Sequence, residues 1–310
     1  MDLLFHRDVV VANLASGSRG NCTYVGSPTQ GVLIDCGLST KQVLQRLDQI
    51  GLGKVRINGV MITHEHTDHV ASARILSDRL RKRQGKPVPF HMTRGTASNL
   101  NPRCAPADVV PIAAGISFTL GALKIDPFRL PHDVADPVGY LISLHDVNVG
   151  VITDLGRTTR LVEQQLSRCD VAVLEFNHDE QMLMDGPYPW ALKQRVRSAH
   201  GHLSNDESEA LVAASATPRL KHLILAHLSE ENNRPELALA AAARGLHRAG
   251  LRRVEVCVAS QRQPMGPVEV RAPTEPSKPP RRARPPARPH TQPPAPRPRE
   301  AQLPLFSRYS

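Results

Sequence analysis

The feature that most constrains this chain is a short run of histidine and aspartate residues directly after an apolar segment. In VMITHEHTDHV, residues 60–70, an apolar strand is followed by His64, His66, Asp68 and His69 within six positions. Imidazoles and carboxylates at this density on one strand-to-helix turn can converge on two cations. The competing interpretation is a polar turn with several exposed histidines, which seldom yields HxHxDH behind a buried strand. The motif therefore predicts a metal centre.

Three more potential ligands stand at the ends of other apolar runs. His132 follows FRLP, Asp154 ends GVITD and His227 ends HLILAH. One such residue alone would be interpreted as a cap or a surface group, but three of them behind an HxHxDH motif favour one shared site. We therefore expect two divalent metal ions. Because no cysteine is among the ligands, either Zn²⁺ or Mn²⁺ suits the site.

Short β-branched runs alternate with helical patterns along the chain. We predict strands at Val9–Leu14, Gly31–Asp35, Gly59–Thr63, Leu123–Leu130, Val138–Leu144, Val149–Thr153, Val171–Phe176, His222–Ala226 and Val254–Ala259. We predict helices at Thr40–Ile50, Val70–Arg83, Asp206–Ala216 and Pro235–Ala249, with Ser39 or Thr40 and Ser204 or Asn205 as N-caps of the first and third. Two sheets packed face to face, with helices outside, would satisfy this α/β pattern.

These motifs together resemble the metallo-β-lactamase superfamily over roughly residues 10–260. LIDCG with Asp35 resembles its first motif, THEHTDH its second and AHLS its last. The resemblance implies a four-layer αββα sandwich and a metal-dependent hydrolase. It also implies that Asp35 orients the histidine-bearing loop without binding metal. The implied ligands form two groups joined by one bridging residue: His64, His66 and His132; Asp68, His69 and His227; and Asp154 as the bridge.

Longer strings are similar to one branch of that superfamily, the YycJ/WalJ-type exonucleases of bacteria. They include LASGSRGNCTYVG at 14–26 and GPYPWALKQRV at 186–196. The stretch between His202 and His227 also resembles ribonuclease Z. This resemblance implies that His202 assists the leaving group or holds the scissile phosphate, while Asp68 binds metal and orients the attacking water. The alternative for His202 is a solvent-facing histidine before a helix.

Two weaker candidates concern the substrate phosphate. Ser16, Ser18, Gly20 and Asn21 could form a concavity of backbone N–H groups suited to a phosphate, although a plain turn fits the spacing equally. His178 either faces the same pocket or is a loop histidine that forms a hydrogen bond. His91 has no motif around it and receives no role.

Charge and proline are concentrated at the C-terminal end. Residues 271–310 hold nine Arg or Lys against two Glu, so they supply +7 of the net +10 and leave +3 for the rest. From Pro264 onward lie 14 of the 27 prolines. We therefore predict a metallo-β-lactamase-fold catalytic domain at 1–263 and a disordered tail at 264–310. Five scattered cysteines and no apolar run long enough to span a bilayer favour a cytoplasmic protein without membrane contact.

The last residues restore large apolar side chains. Gln302, Leu303, Pro304, Leu305 and Phe306 resemble the QL[SD]LF peptide with which bacterial replication and repair proteins bind the DNA sliding clamp. Proline at the third position departs from the usual serine or aspartate. The resemblance implies that residues 302–306 bind the clamp.

Three functions fit these observations. The first is a two-metal phosphodiesterase, a 5′-exonuclease acting on DNA rather than RNA in bacterial DNA repair. The second is a small-molecule thioester or lactone hydrolase of the same fold, which the near-neutral body allows. The third is a non-catalytic adaptor, which the complete ligand set disfavours.

Overall fold

Two seven-stranded sheets form the centre of the computed structural model, which describes residues 8–271. The strands are β1 (Asp8–Ala15), β2 (Cys22–Gly26), β3 (Gln30–Ile34), β4 (Arg56–Met61), β5 (Phe90–Thr93), β6 (Val109–Ile112), β7 (Phe118–Leu120), β8 (Leu123–Arg129), β9 (Val138–Leu144), β10 (Val147–Ile152), β11 (Val171–Glu175), β12 (His222–Ala226), β13 (Glu255–Val258) and β14 (Val268–Arg271). The helices are α1 (Thr40–Gln49), α2 (Thr67–Val70), α3 (Ala73–Gln84), α4 (Arg94–Asn99), α5 (Arg160–Leu166), α6 (Glu180–Asp185), α7 (Trp190–Val196), α8 (Asn205–Ser215) and α9 (Pro235–Arg248). All nine predicted strands are confirmed, with ends that shift by at most three residues.

The strand order brings many carboxyl ends to one edge. The first sheet has the order β14-β1-β2-β3-β4-β5-β6, and the second has the order β13-β12-β11-β10-β9-β8-β7. Pairing is parallel from β3 to β6 and from β10 to β13. In α/β proteins, ligands bind beyond the carboxyl ends of parallel strands. The fold therefore gathers at this edge the residues that follow β3, β4, β10, β11 and β12.

Alternation along the strands divides the core into layers. In β1, Val9 and Val11 face the space between the sheets, whereas Val10 packs with Leu47 of α1 on the outer side. Helices α1 and α3 cover the first sheet, and α5, α8 and α9 cover the second. This is the four-layer αββα sandwich that the sequence resemblance implies.

Capping explains where the predicted helices begin. Of the two N-cap candidates predicted for each helix, Ser39 caps α1 and Ser204 caps α8, and each forms a capping box. The predicted helix at Val70–Arg83 is confirmed as α3, which begins three residues later than predicted because the chain turns between α2 and α3. At that turn, both the N–H and the hydroxyl of Ser72 donate to the carbonyl oxygen of Cys36, which ties the turn to the first sheet.

The composition places the start of the tail too early. Residues 268–271 form β14, which pairs antiparallel with β1, Asp8 opposite Arg271. The β-branched alternation of VEVR is sufficient for an edge strand despite the prolines before it. We therefore move the start of the predicted tail to after Arg271. The rest of that tail, including the predicted clamp peptide 302–306, lies outside the described residues.

Two further sequence predictions can be compared with residues 8–271. All five cysteines are unbridged, and Cys22 and Cys36 are buried among apolar side chains. Within the described part of the chain, no helix is both long and apolar enough to cross a membrane.

Candidate metal centre

The predicted ligands come together at the carboxyl edge of both sheets. The loop after β4 of the first sheet carries His64 and His66. Helix α2, which follows directly, carries Asp68 and His69. His132 follows β8, Asp154 follows β10 and His227 follows β12, all in the second sheet. The first sheet therefore contributes four of the seven predicted ligands and the second sheet three.

The side chains of this cluster fall into overlapping groups. In each group the potential ligand atoms lie within 4.8 Å of one another: His64, His66 and His132; Asp68, His69 and His227; His64, His69 and Asp154; and Asp154, Glu175, His202 and His227. The first two groups match the sets that the family resemblance implies. Asp154 is close to members of both, as a bridging carboxylate must be.

Hydrogen bonds at Nδ1 of His132 and His227 leave Nε2 of each imidazole available to a cation. Nδ1 of His132 donates to the carbonyl oxygens of His200 and Gly201 at 3.1 and 3.2 Å, so its Nε2 carries a lone pair. Nδ1 of His227 lies 3.1 Å from the buried carboxylate of Glu175. Nε2 of His132, Nε2 of His227 and Oδ2 of Asp154 are buried without a hydrogen-bond partner. The donor set therefore fits divalent cations.

Asp35, which is predicted to orient the histidine loop, lies against that loop. Its carboxylate accepts hydrogen bonds from the backbone N–H and the hydroxyl of Thr63, at 2.8 and 3.1 Å. Its other oxygen lies 2.8 Å from Nδ1 of His69. This bond turns Nε2 of His69 toward Asp68 and Asp154, at 3.3 and 3.5 Å.

Glu175 is the residue that sequence reasoning missed. It ends β11 fully buried, and its Oε1 accepts from Nδ1 of His202 at 2.8 Å and from Nδ1 of His227 at 3.1 Å. Its other oxygen accepts from the backbone N–H groups of Leu155 and Leu203. A carboxylate at the end of the apolar run VAVLE carries the same signal that identified Asp154.

Three site residues have a backbone conformation that L-amino acids seldom adopt. The φ angles of Asp35, Asp154 and His227 are +60°, +63° and +57°. Non-glycine residues with positive φ store strain, which persists where the surrounding structure enforces it. Each stands just beyond a strand end, where the turn aims its side chain inward. The fold therefore preorganises the site before any cation arrives.

Burial and neighbouring charges set the protonation of the cluster. Burial would raise the pKa of Asp154, but His227 and His69 hold that pKa well below its usual range. Burial and the neighbouring His69 lower the pKa of His64, which keeps its imidazole neutral. Burial would lower the pKa of His227, but Asp154 and other acidic neighbours raise it well above its usual range. The buried carboxylates thus create an excess of negative charge that cations would neutralise.

The residues proposed for phosphate binding differ in position. Ser18 lines a cavity of about 180 Å³ at the cluster, together with His202. The hydroxyl of Ser16 instead accepts from the backbone N–H of His227 at 2.7 Å. The side-chain amide of Asn21 donates to the carboxylate of Asp68 at 3.2 Å. His178 is buried beside Ser204 and does not line that cavity.

An ion pair lies at the rim of the same cavity. Arg195, on α7, donates to the carboxylate of Asp133 at 2.6 Å, and both residues line the cavity. Asp133 directly follows His132, so the ion pair connects α7 to a ligand-bearing loop. Helix α7 and the loop after β8 therefore form facing walls of the entrance.

Comparisons with known proteins agree with this geometry. A family model described as a beta-lactamase superfamily domain matches residues 30–228. The chain is 34% identical over 226 residues to the exodeoxyribonuclease YycJ of Bacillus anthracis, covering 73% of this chain and 84% of that protein. It is 31% identical over 228 residues to the exodeoxyribonuclease WalJ of Streptococcus pneumoniae, covering 73% and 83%.

A solved structure shows the same fold. The metallo-β-lactamase fold protein YhfI from Bacillus subtilis matches with a TM-score of 0.61 at 15% identity, covering 83% of this chain and 99% of that one. At this identity the likeness bears on the fold alone. Fold, clustered ligands and sequence relatives are thus consistent with one another.

Proposed function

Because the chain belongs to the metallo-β-lactamase superfamily, in the branch of the YycJ and WalJ exodeoxyribonucleases, we propose that it is a 5′-exonuclease acting on DNA in bacterial DNA repair. That it is a metal-dependent hydrolase follows from the family and the fold together. The substrate, the polarity, the repair role and the number of metal ions are the parts that we propose.

The observation that carries the proposal is the pairing of His202 with Glu175 beside the ligand cluster. A phosphodiesterase must stabilise or protonate a departing oxygen, in addition to activating water. His202 lines the cavity and donates from Nδ1 to the buried carboxylate of Glu175, which leaves Nε2 available to substrate. This hydrogen bond also fixes the orientation of the imidazole.

The roles of the chain's own residues follow from these contacts. We infer one cation at His64, His66 and His132, a second at Asp68, His69 and His227, and Asp154 between them. Bound there, two divalent cations would activate water and neutralise charge developing on the phosphate. Asp68, whose carboxylate is held by Asn21, would orient the attacking water. His202 would give its proton to the departing oxygen.

The alternative is a thioester or lactone hydrolase on the same fold. Residues 1–270 have a net charge of only +3, which would suit a small neutral substrate. Against it stand the long matches to two exodeoxyribonucleases. A non-catalytic adaptor is disfavoured because Asp154 and His227 keep free ligand atoms at the centre.

One assay separates these functions. Metal-loaded protein is given single-stranded and duplex DNA labelled at either the 5′ or the 3′ end, and matched RNA, in Mn²⁺ and separately in Zn²⁺. We expect the labelled mononucleotide to be released early from 5′-labelled DNA and late from 3′-labelled DNA. We also expect DNA to be cleaved faster than RNA. Release from the 3′ label first would contradict the polarity. Hydrolysis of thioester or lactone substrates with intact DNA would establish the alternative.

We further propose that residues 302–306 bind the bacterial sliding clamp. Leu303, Leu305 and Phe306 would enter apolar pockets, with Gln302 fixing the register. About thirty residues between Arg271 and this peptide would span on the order of 30 Å as a flexible coil and raise the local concentration of the enzyme at clamp-loaded DNA.

A pull-down with purified clamp tests this binding. It compares wild type with the Leu305→Ala/Phe306→Ala double variant, which keeps every charge of the tail. Equal retention of both at moderate salt would show that the tail binds through charge alone.

A DNA substrate and five unbridged cysteines support a location in the cytoplasm, where thiols stay reduced.

A further inference from the structure

A second cavity opens between the two sheets at their free edges, away from the metal centre. It has a volume of about 760 Å³ and lies between β6 and β7, with apolar walls that include Val110, Ile112, Ile116 and Leu120. None of its lining residues lines the cavity at the ligand cluster. Its size and its mostly apolar lining are typical of sites for small molecules.

A buried histidine without partners faces this cavity. His91 on β5 is 5% exposed, and neither ring nitrogen has a hydrogen-bond partner. Its ring stacks on Phe118 with centroids 4.8 Å apart and planes 18° from parallel. Burial lowers the pKa of His91 to about 4, so near pH 7 the ring offers one N–H donor and one lone pair. A buried polar group without a partner calls for one, which a bound molecule can supply.

The rim of the cavity carries charged groups suited to an anion and a hydroxyl. Arg94, at the start of α4, and Arg129, at the end of β8, are exposed, and neither side chain forms an ion pair or hydrogen bond within residues 8–271. Guanidinium groups bind phosphate or carboxylate with paired hydrogen bonds. The carboxylate of Asp136 lines the same rim and can accept a hydrogen bond from a sugar hydroxyl.

The same features disfavour a protein segment as the occupant. The chain's own tail after Arg271 carries +6 and would be repelled by two unpaired arginines. Pairing of another strand with the edge of β6 is hindered by Pro111, which has no N–H to donate. The charge and the edge chemistry therefore favour a small, anionic ligand.

We propose that this cavity binds a mononucleotide, with the base against His91 between the apolar walls and the phosphate on Arg94 and Arg129. Asp136 accepts from the sugar. The ring nitrogens of a base supply the partners that the imidazole lacks, and its flat faces suit a cleft between two sheets. This inference goes beyond the proposed function and does not require that the protein cleave DNA.

Calorimetric titration of the metal-loaded, full-length protein with deoxyadenosine 5′-monophosphate tests the site. Thr119, an exposed residue of β7 that lines the cavity, is replaced in Thr119→Trp to fill the cavity. We expect this variant to lose one binding equivalent, whatever the nucleotide does at the metal centre. The Arg94→Ala/Arg129→Ala double variant should bind that equivalent at least about tenfold more weakly. Arg253→Ala, an exposed arginine beside β13, is the matched control and should bind like wild type.

Ligand fragments distinguish the nucleotide from simpler occupants. Adenosine and inorganic phosphate should each bind the Thr119-dependent equivalent at least about tenfold more weakly than the nucleotide. Decanoate, an apolar anion without a ring, should not compete. An isotherm that is unchanged in Thr119→Trp and in the double arginine variant would overturn the proposal. Decanoate or phosphate binding as tightly as the nucleotide would overturn it equally.

Discussion

Replacing Glu175 with glutamine tests whether one buried carboxylate organises two functional imidazoles. Its Oε1 accepts from Nδ1 of both His202 and His227, and its Oε2 accepts from the backbone N–H groups of Leu155 and Leu203. N–H groups thus surround both oxygens. The amide NH₂ of glutamine must therefore face two donors in either orientation.

The magnitude follows from the contacts that are lost. Two hydrogen bonds to a carboxylate contribute about 1.5–3 kcal/mol each, so the free energy of unfolding should fall by about 3–6 kcal/mol if neither imidazole adapts. If the imidazoles move their proton to Nε2 instead, His227 loses the lone pair that a cation needs. Removing such an orienting partner lowers metal affinity or activity by about 10–100-fold. Misplacing His202 as proton donor adds about 100-fold or more to the loss of turnover.

Two measurements separate these effects. Metal content is measured after dialysis at limiting free Zn²⁺ or Mn²⁺, and single-turnover cleavage is followed on 5′-labelled DNA. Glu236→Gln, at an exposed position in the first turn of α9, is the matched control. In a His202→Ala background, Glu175→Gln should lower the rate less than it does alone, because the two residues share one contact. Wild-type metal content with a rate within about threefold of wild type would refute the reasoning.

Other variants address the remaining groups. Asp68→Ala should abolish cleavage with the fold retained, since it removes a ligand and an orienting oxygen together; activity within about tenfold of wild type in metal-loaded protein would contradict this. His202→Ala should lower turnover by about two to four orders of magnitude at unchanged metal content; loss of a metal equivalent would instead make it a ligand. His91→Phe should remove a pH dependence, because burial lowers the pKa of His91 to about 4 from 6.5. As pH falls through this window the unfolded chain binds that proton first, so urea unfolding should show wild type losing up to about 3 kcal/mol more stability than the variant, in which the buried carboxylates still titrate.

The sequence predicts the parts of the site that lie close together along the chain or end an apolar strand. The loop from His64 to His69 is local, and Asp154 and His227 end strands whose composition is unambiguous. Glu175 carries the same strand-end signal, but it lies outside the motifs on which the ligand prediction rests.

Other features depend on long-range contacts that no local pattern reveals. The hydroxyl of Ser16 accepts a hydrogen bond from the backbone N–H of His227, 211 residues away, so this serine contacts the loop of a proposed ligand. β14 pairs with β1, which a proline-rich composition conceals. His91 is an isolated histidine in sequence, and only the separation of the two sheets at β6 and β7 exposes its ring to a cavity.

The division of the ligand cluster between the two sheets has a mechanical consequence. His64 and His66 follow a strand of the first sheet and His132 follows a strand of the second, so a cation bound by all three would crosslink the two sheets. Separation of the sheets and release of the cation then become one event. A free cation at about a hundred times its dissociation constant would stabilise the two-sheet sandwich by about 2.7 kcal/mol. Removal of the metal should therefore lower the melting temperature and speed proteolysis between the sheets, in addition to abolishing hydrolysis.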